Sequence, residues 1–220
     1  MADSPPTATV ALAYDLVIFD LDGTLVDSFA FFARSHNRLA AKFGFRPLDD
    51  VQIQDLRGRP AREIIQATGL PLWKLPQVVT AFRRLVSAEG QAIPRFAGVD
   101  AALAALAHSG ARLALVSSNS AENCRRLLGE DNWARMAHVA CGSSLFGKHR
   151  HLLHVLREAR VPASRAIYVG DQLEDAQAAC RAGIAFAGVS WGYATPEALQ
   201  GAGPVRMLAG VQDLATLAQG

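Results

Sequence analysis

Cysteine is scarce in this chain. Cys124, Cys141 and Cys180 are the only three, odd in number and far apart in sequence. That excludes a disulfide framework and a cysteine-built zinc site, and leaves thiols that pack as small hydrophobes. An excess of one charge is also missing: 22 Lys and Arg stand against 20 Asp and Glu, with no basic run. Few aromatics lie beside cations, so there is no nucleic-acid footprint. No apolar run approaches the ~20 residues of a membrane span. Met1 to Leu12 offers no basic flank before a signal-like apolar stretch. The expectation is a soluble cytoplasmic protein with no nucleic-acid or membrane partner, monomeric or homodimeric. With 220 residues, half of them apolar, the chain can bury one good core and carry a small second unit.

What is present is concentrated in Leu16-Val-Ile-Phe-Asp20-Leu-Asp22-Gly-Thr-Leu-Val-Asp-Ser28. A branched, apolar run reads as a buried strand, and it ends in two aspartates one residue apart, followed by a glycine turn. Two carboxylates at the end of a buried strand repel each other unless a cation or a shared proton intervenes. The strand end is therefore a candidate active site.

Residues 1–13, with Ser4-Pro5-Pro6, read as a flexible leader. Tyr14 to Asp20 reads as the first strand. After Ser28, Phe29, Phe32, Ala33, His36, Leu39, Ala40 and Phe43 recur at helical spacing until Gly44 stops them. Further helices are expected around Pro60 to Thr68 and Pro76 to Ala88, with no strand-like run before Ile93. Residues 28–94 thus form an all-helical insertion. From Pro94 onward helices and strands alternate. Strands are expected over Ala111–Ser117, Met136–Ala140, Ala166–Val169 and Ile184–Val189, and helices over Val99–His108, Ala121–Leu128, the segment with Leu152 and Leu156, and Glu174–Ala182. This alternation predicts an α/β fold, a Rossmann-like doubly wound parallel sheet built from residues 14–27 and 95–220.

In such sheets ligands bind beyond the carboxyl ends of the strands. Those ends carry Asp20 and Asp22, then Ser117-Ser118-Asn119, then Gly170-Asp171 with Asp175 four residues on, while Lys148 follows Gly147 beside a helix. Four carboxylates, hydroxyls and one ammonium at one edge are suited to phosphate and a metal ion. Ser117-Ser118-Asn119 is equally an ordinary helix start with a capping side chain. Lys148, beside His149, Arg150 and His151, is equally a solvated basic loop.

These residues give the chain a resemblance to the haloacid dehalogenase superfamily, in its helical-cap phosphatase branch of phosphoglycolate phosphatase-like enzymes. The motifs stand in the family's order: Asp20-Leu21-Asp22-Gly23-Thr24, Ser117, Lys148, and Gly170-Asp171-Gln-Leu-Glu-Asp175. The resemblance implies that Asp20 is the nucleophile, forming an aspartyl-phosphate, and that Asp22 is the general acid and base. It implies Mg2+ held by Asp20, the Asp22 carbonyl and Asp171, with Asp175 in support. Ser117, Ser118, Asn119 and Thr24 would contact substrate, and Lys148 would hold the phosphate and Asp20. Glu174, adjacent to Asp175, is expected to face solvent or stabilise its helix start.

The helical cap would close over the site, and its segment Leu56-Arg57-Gly58-Arg59-Pro60-Ala61-Arg62 would reach the leaving group, with Arg57 and Arg59 suited to a carboxylate or second phosphate. A helix start with solvated arginines fits that segment as well. The implied function is Mg-dependent hydrolysis of a small phosphorylated metabolite, phosphoglycolate-like or a sugar phosphate. Two alternatives stand beside it: a phosphomutase resembling beta-phosphoglucomutase, and a weakly catalytic regulator that binds phosphometabolites.

Overall fold

The computed structural model describes residues 13–57, 59–142 and 147–218. The leader falls almost wholly outside these residues, as does Gly58.

Six parallel strands form one sheet: β1 (Leu16–Phe19), β2 (Arg112–Val116), β3 (Met136–Ala140), β4 (Ala166–Gly170), β5 (Ala185–Val189) and β6 (Arg206–Leu208), in the spatial order β3-β2-β1-β4-β5-β6. β1 and β4 are central and fully buried, which is why their sequences run apolar without alternation. Successive side chains of a strand point to opposite faces, so β1 seeds two cores. Val17 and Phe19 join one with α5 (Val99–His108), α6 (Ala121–Leu128) and the 3-10 turns of Val211–Ala218. Leu16 and Ile18 join the other with α8 (Lys148–Ala159), α9 (Leu173–Ala182) and α10 (Pro196–Gly201). The expected doubly wound α/β fold is the fold observed.

The winding reverses between β1 and β4, the point at which such sheets open a crevice. The β1–β4 register, Phe19 against Val169, sets Asp20 and Asp171 at the mouth of that crevice.

Between β1 and α5 the described chain is helical: α1 (Phe29–Phe43), α2 (Asp50–Asp55), α3 (Ala61–Thr68) and α4 (Leu75–Glu89). Leu39, Ile65, Leu70 and Val78 form a small apolar centre there, extended by Phe43, Phe45 and Phe82. The two connections to the sheet run side by side. Asp27 N–H donates to Pro94 O at 2.8 Å, Phe96 N–H to Leu25 O at 3.1 Å, and Val26 bridges Arg95.

Three short α-helices and one strand lie outside the sequence expectation: α2, α7 (Glu130–Arg135), α10 and β6. None exceeds six residues, too short for a hydrophobic period to register. α2 buries no side chain and rests on a capping box, Asp49 Oδ1 accepting from Gln52 N–H at 2.8 Å and Gln52 Oε1 from Asp49 N–H at 3.1 Å. Among the described residues no helix is long and apolar enough to cross a membrane.

Leu103 of α5 is fully buried against the sheet. Leu103→Ala should lower unfolding free energy by about 2–5 kcal/mol, read as a lower urea midpoint at unchanged slope.

Candidate active site

Three strand ends and one helix start converge. Asp20 follows β1, Ser117 follows β2, Asp171 follows β4, and Lys148 opens α8. Lys148 is buried, not a solvated loop residue, and its Nζ lies 2.7 Å from both Asp20 Oδ2 and Asp175 Oδ1. Asp175 is fully engaged. Its Oδ1 also accepts from Tyr168 Oη at 2.9 Å, and its Oδ2 accepts from Asp171 N–H at 3.3 Å and Gln172 N–H at 3.1 Å, the latter as part of the capping box of α9.

Asp171 is held just as closely. Its Oδ1 accepts from Thr24 Oγ1 at 3.0 Å and its Oδ2 from Tyr193 N–H at 2.8 Å. Two glycines make room for it. A Cβ at Gly23, where φ is +79°, would stand 2.1 Å from Asp171 Oδ2, and one at Gly192 would stand 2.1 Å from Asp171 Cβ. Thr24 is therefore not placed at the substrate as expected: it is fully buried, and its hydroxyl is committed to orienting Asp171.

Asp22 accepts from Asn119 Nδ2 at 3.3 Å, while its Oδ1 is buried without a hydrogen-bond partner. Ser117 Oγ accepts from Asn119 N–H at 3.0 Å. The cap of α6 is Ser120, whose hydroxyl accepts from Asn123 N–H at 3.3 Å, so the helix-capping alternative for Ser117 does not hold. Ser118 lines the cavity beside this edge, and its carbonyl accepts from Arg83 Nε at 2.8 Å.

Arg57 and Arg59 are placed differently from the expectation. Arg57 Nε and Nη2 donate to the Tyr193 and Gly192 carbonyls, each at 2.8 Å, Nη1 donates to Gln54, and the guanidinium lies 4.7 Å from the centre of the Phe29 ring. It latches the helical insertion to the loop after β5. Arg59 stays half exposed on its own segment, donating to Asp55 O at 3.3 Å and lying 3.9 Å from Glu63. Glu174 does not simply face solvent: its Oε1 accepts from Ala61 N–H at 2.5 Å, capping α3 from across the cleft.

Tyr168 and Tyr193 escaped the sequence reading. A tyrosine inside a fully buried strand must find a partner for its hydroxyl, and Gly192-Tyr193 follows a strand end; both were available signals. Cys124 and Cys141, remote in sequence, meet with sulfurs 3.4 Å apart.

The electrostatics follow from burial. Desolvation raises Asp20 from an ordinary 3.8 to about 7, with Asp175 and Asp22 reinforcing it against the pull of Lys148. Burial, then the charges of Asp175 and Asp20, push Asp171 well above the carboxylate range. Burial also raises Asp22. Lys148 is held above its usual value because Asp175 and Asp20 outweigh its own desolvation. Asp20, Asp171 and Asp175 offer carboxylate oxygens within 4.8 Å of one another. One ammonium does not neutralise three such groups, so a hard divalent cation fits this all-oxygen set.

A family model described as haloacid dehalogenase-like hydrolase matches residues 17–189. The chain belongs to the haloacid dehalogenase-like hydrolases. It is 32% identical over 200 residues to a phosphoglycolate phosphatase of Synechococcus elongatus, covering 90% of this chain and 94% of that one. It is likewise 32% identical over 183 residues to the Mycobacterium tuberculosis protein called tyrosine-protein kinase PtkA, covering 81% of this chain and 62% of that one. A haloacid dehalogenase-like family hydrolase from Streptococcus pneumoniae superposes with a TM-score of 0.76 at 21% identity, over 92% of this chain and 97% of that one. The phosphatase relatives span nearly the whole chain, and the expectation of a phosphatase enzyme of this family stands.

Raised carboxyls link metal affinity to pH. Unfolded, Asp20 and Asp171 lose their protons near 3.8; folded without a cation they keep them to higher pH, Asp20 to about 7. The folded state then binds more protons than the unfolded one, so metal-free stability falls as pH rises from 4 through about 7. A cation that replaces those protons reverses the loss. Mg2+ should raise the melting temperature more at pH 8 than at pH 5, and an equal shift at both would contradict a carboxylate site.

Proposed function

We infer that this chain is a magnesium-dependent phosphatase acting on a small phosphorylated metabolite through an aspartyl-phosphate on Asp20. The observation that carries this reading is the placement of Asp20 at the switch point of the sheet, 2.7 Å from Lys148 and grouped with Asp171 and Asp175. Asp20 and Asp171 would hold Mg2+, with Asp175, whose oxygens are already bonded, in support. The ion, when bound, neutralises phosphate charge and favours the ionised form of Asp20.

In the first step an Asp20 oxygen attacks phosphorus as the ester P–O bond breaks, and Asp22 gives its proton to the departing alcohol oxygen. The raised pKa of Asp22 suits it to carry that proton. In the second step Asp22 takes a proton from water, the water oxygen attacks phosphorus, and the Asp20–phosphorus bond breaks. Asp20 is thereby regenerated and inorganic phosphate released. Lys148 keeps the nucleophile oriented and offsets repulsion between carboxylate and phosphate. Ser117 and the amides near Ser118 and Asn119 would cradle the phosphoryl oxygens. The helical insertion acts as the cap. The names of several relatives make phosphoglycolate one candidate substrate.

Asp20→Asn should lower kcat by several orders of magnitude with the melting temperature retained; more than a tenth of wild-type turnover would overturn the nucleophile. Arg57→Ala tests the latch. Losing two charge-assisted bonds across the cleft should reduce kcat/KM by about tenfold for every phosphate ester alike. A loss confined to carboxylate-bearing esters would instead make Arg57 a substrate ligand.

A further inference from the structure

A cavity of about 260 Å³ runs from Asp22, Ser118 and Asn119 into the helical insertion. Its walls beyond that edge are predominantly apolar, with Phe29, Phe32, Phe45 and Phe82 presenting rings and Leu39 and Ile64 filling between them. The rings meet edge to face: Phe32 and Phe82 have centres 5.9 Å apart at 70°. The arginines that border it are engaged with the protein itself, Arg57 with the Gly192 and Tyr193 carbonyls, Arg83 with the Ser118 carbonyl, and Arg59 with its own segment. A guanidinium fork turned to backbone carbonyls is not presented to a carboxylate. One polar atom stands out deeper in the same walls. His36 Nε2 is buried with no hydrogen-bond partner, its ring packed edge-on against Phe45 with centres 5.3 Å apart. Burial lowers the pKa of His36, so the ring meets this space as a neutral imidazole.

We propose that this cavity receives the alcohol portion of the substrate, and that the preferred substrate is the phosphate monoester of an apolar, ring-sized alcohol. This rests on the phosphatase reading and names the substrate class of that site. The phosphoryl group lies at the carboxylate edge, common to all esters, and the alcohol extends past Asp22 into the apolar chamber. The volume sits just below the ~300–1,000 Å³ of drug-sized pockets, enough for one ring on a short chain. A doubly anionic two-carbon ester would leave most of that surface uncovered, and a nucleoside would bring more polar groups than the walls can satisfy.

The test is phosphate release with Mg2+ from methyl, propyl, hexyl and 2-phenylethyl phosphate, beside phosphoglycolate and a nucleoside 5′-monophosphate. Burial of each methylene should raise kcat/KM about three- to fourfold, the equivalent of ~0.8 kcal/mol, with hexyl and phenylethyl esters far ahead of phosphoglycolate. Ala33→Trp, which puts bulk into the cavity, should flatten that slope. Calorimetry of the same esters on Asp20→Asn supplies the binding series without turnover. Hydrolysis with a flat slope, or with phosphoglycolate or the nucleotide leading, overturns the pocket assignment and leaves the phosphatase reading intact. Affinity that climbs with chain length while the wild type hydrolyses nothing supports the pocket and overturns the phosphatase reading.

Discussion

The ammonium of Lys148, shared between Asp20 and Asp175, is the contact on which the rest of the site depends. Two buried carboxylates this close would be unstable at a strand end without it. Removing that ammonium typically costs about 3–5 kcal/mol because the carboxylates are left uncompensated. The sharing also ties separate parts of the chain into one frame. Lys148 brings the start of α8 to the end of β1, and Asp175 carries that tie to β4 through Tyr168 and to the first turn of α9 through two backbone amides. Asp20 is thus oriented by a residue whose own position is over-determined. That is the condition for holding a reactive geometry without relying on a mobile loop.

Asp171 shows the same principle with uncharged partners. Among the described residues it makes no ion pair; neutral donors hold it, the Thr24 hydroxyl and the Tyr193 amide. Those bonds set its orientation without neutralising its charge, which is why burial pushes its pKa up and why the cluster retains room for a positive ion. Gly23 and Gly192 belong to this arrangement, since any side chain at either would collide with Asp171.

Much of this is legible in the sequence, for a local reason. The strand ends are written as short runs, Val-Ile-Phe-Asp20 and Tyr-Val-Gly170-Asp171, whose hydrophobicity stops where the carboxylate begins. The α/β alternation follows from similarly local periods. What stayed hidden was set by partners more than a hundred positions away. Arg57 meets Gly192 and Tyr193, Glu174 meets Ala61, and Thr24 meets Asp171, and nothing in the neighbouring residues of any of them specifies that choice. An arginine in a glycine-containing loop looks alike whether it awaits a carboxylate or grips two carbonyls.

The same division separates reaction from substrate. The residues proposed to handle the phosphoryl group lie on strand ends, where the topology of the sheet itself brings them together. Chambers between an insertion and a core are lined by side chains from several helices, and their polarity can change one residue at a time while the sheet edge stays as it is. Relatives at about one-third identity therefore speak to the chemistry at Asp20 more directly than to the alcohol that leaves. In this chain the two parts also connect physically. The Tyr193 segment that holds Asp171 through its amide takes Arg57 on its carbonyl and closes one wall of the cavity with its ring, packed against Phe29 and Phe32. A ligand in the apolar chamber would touch the same loop that orients a carboxylate of the proposed metal site. One short stretch of chain thus borders the chamber and holds Asp171 at the sheet edge.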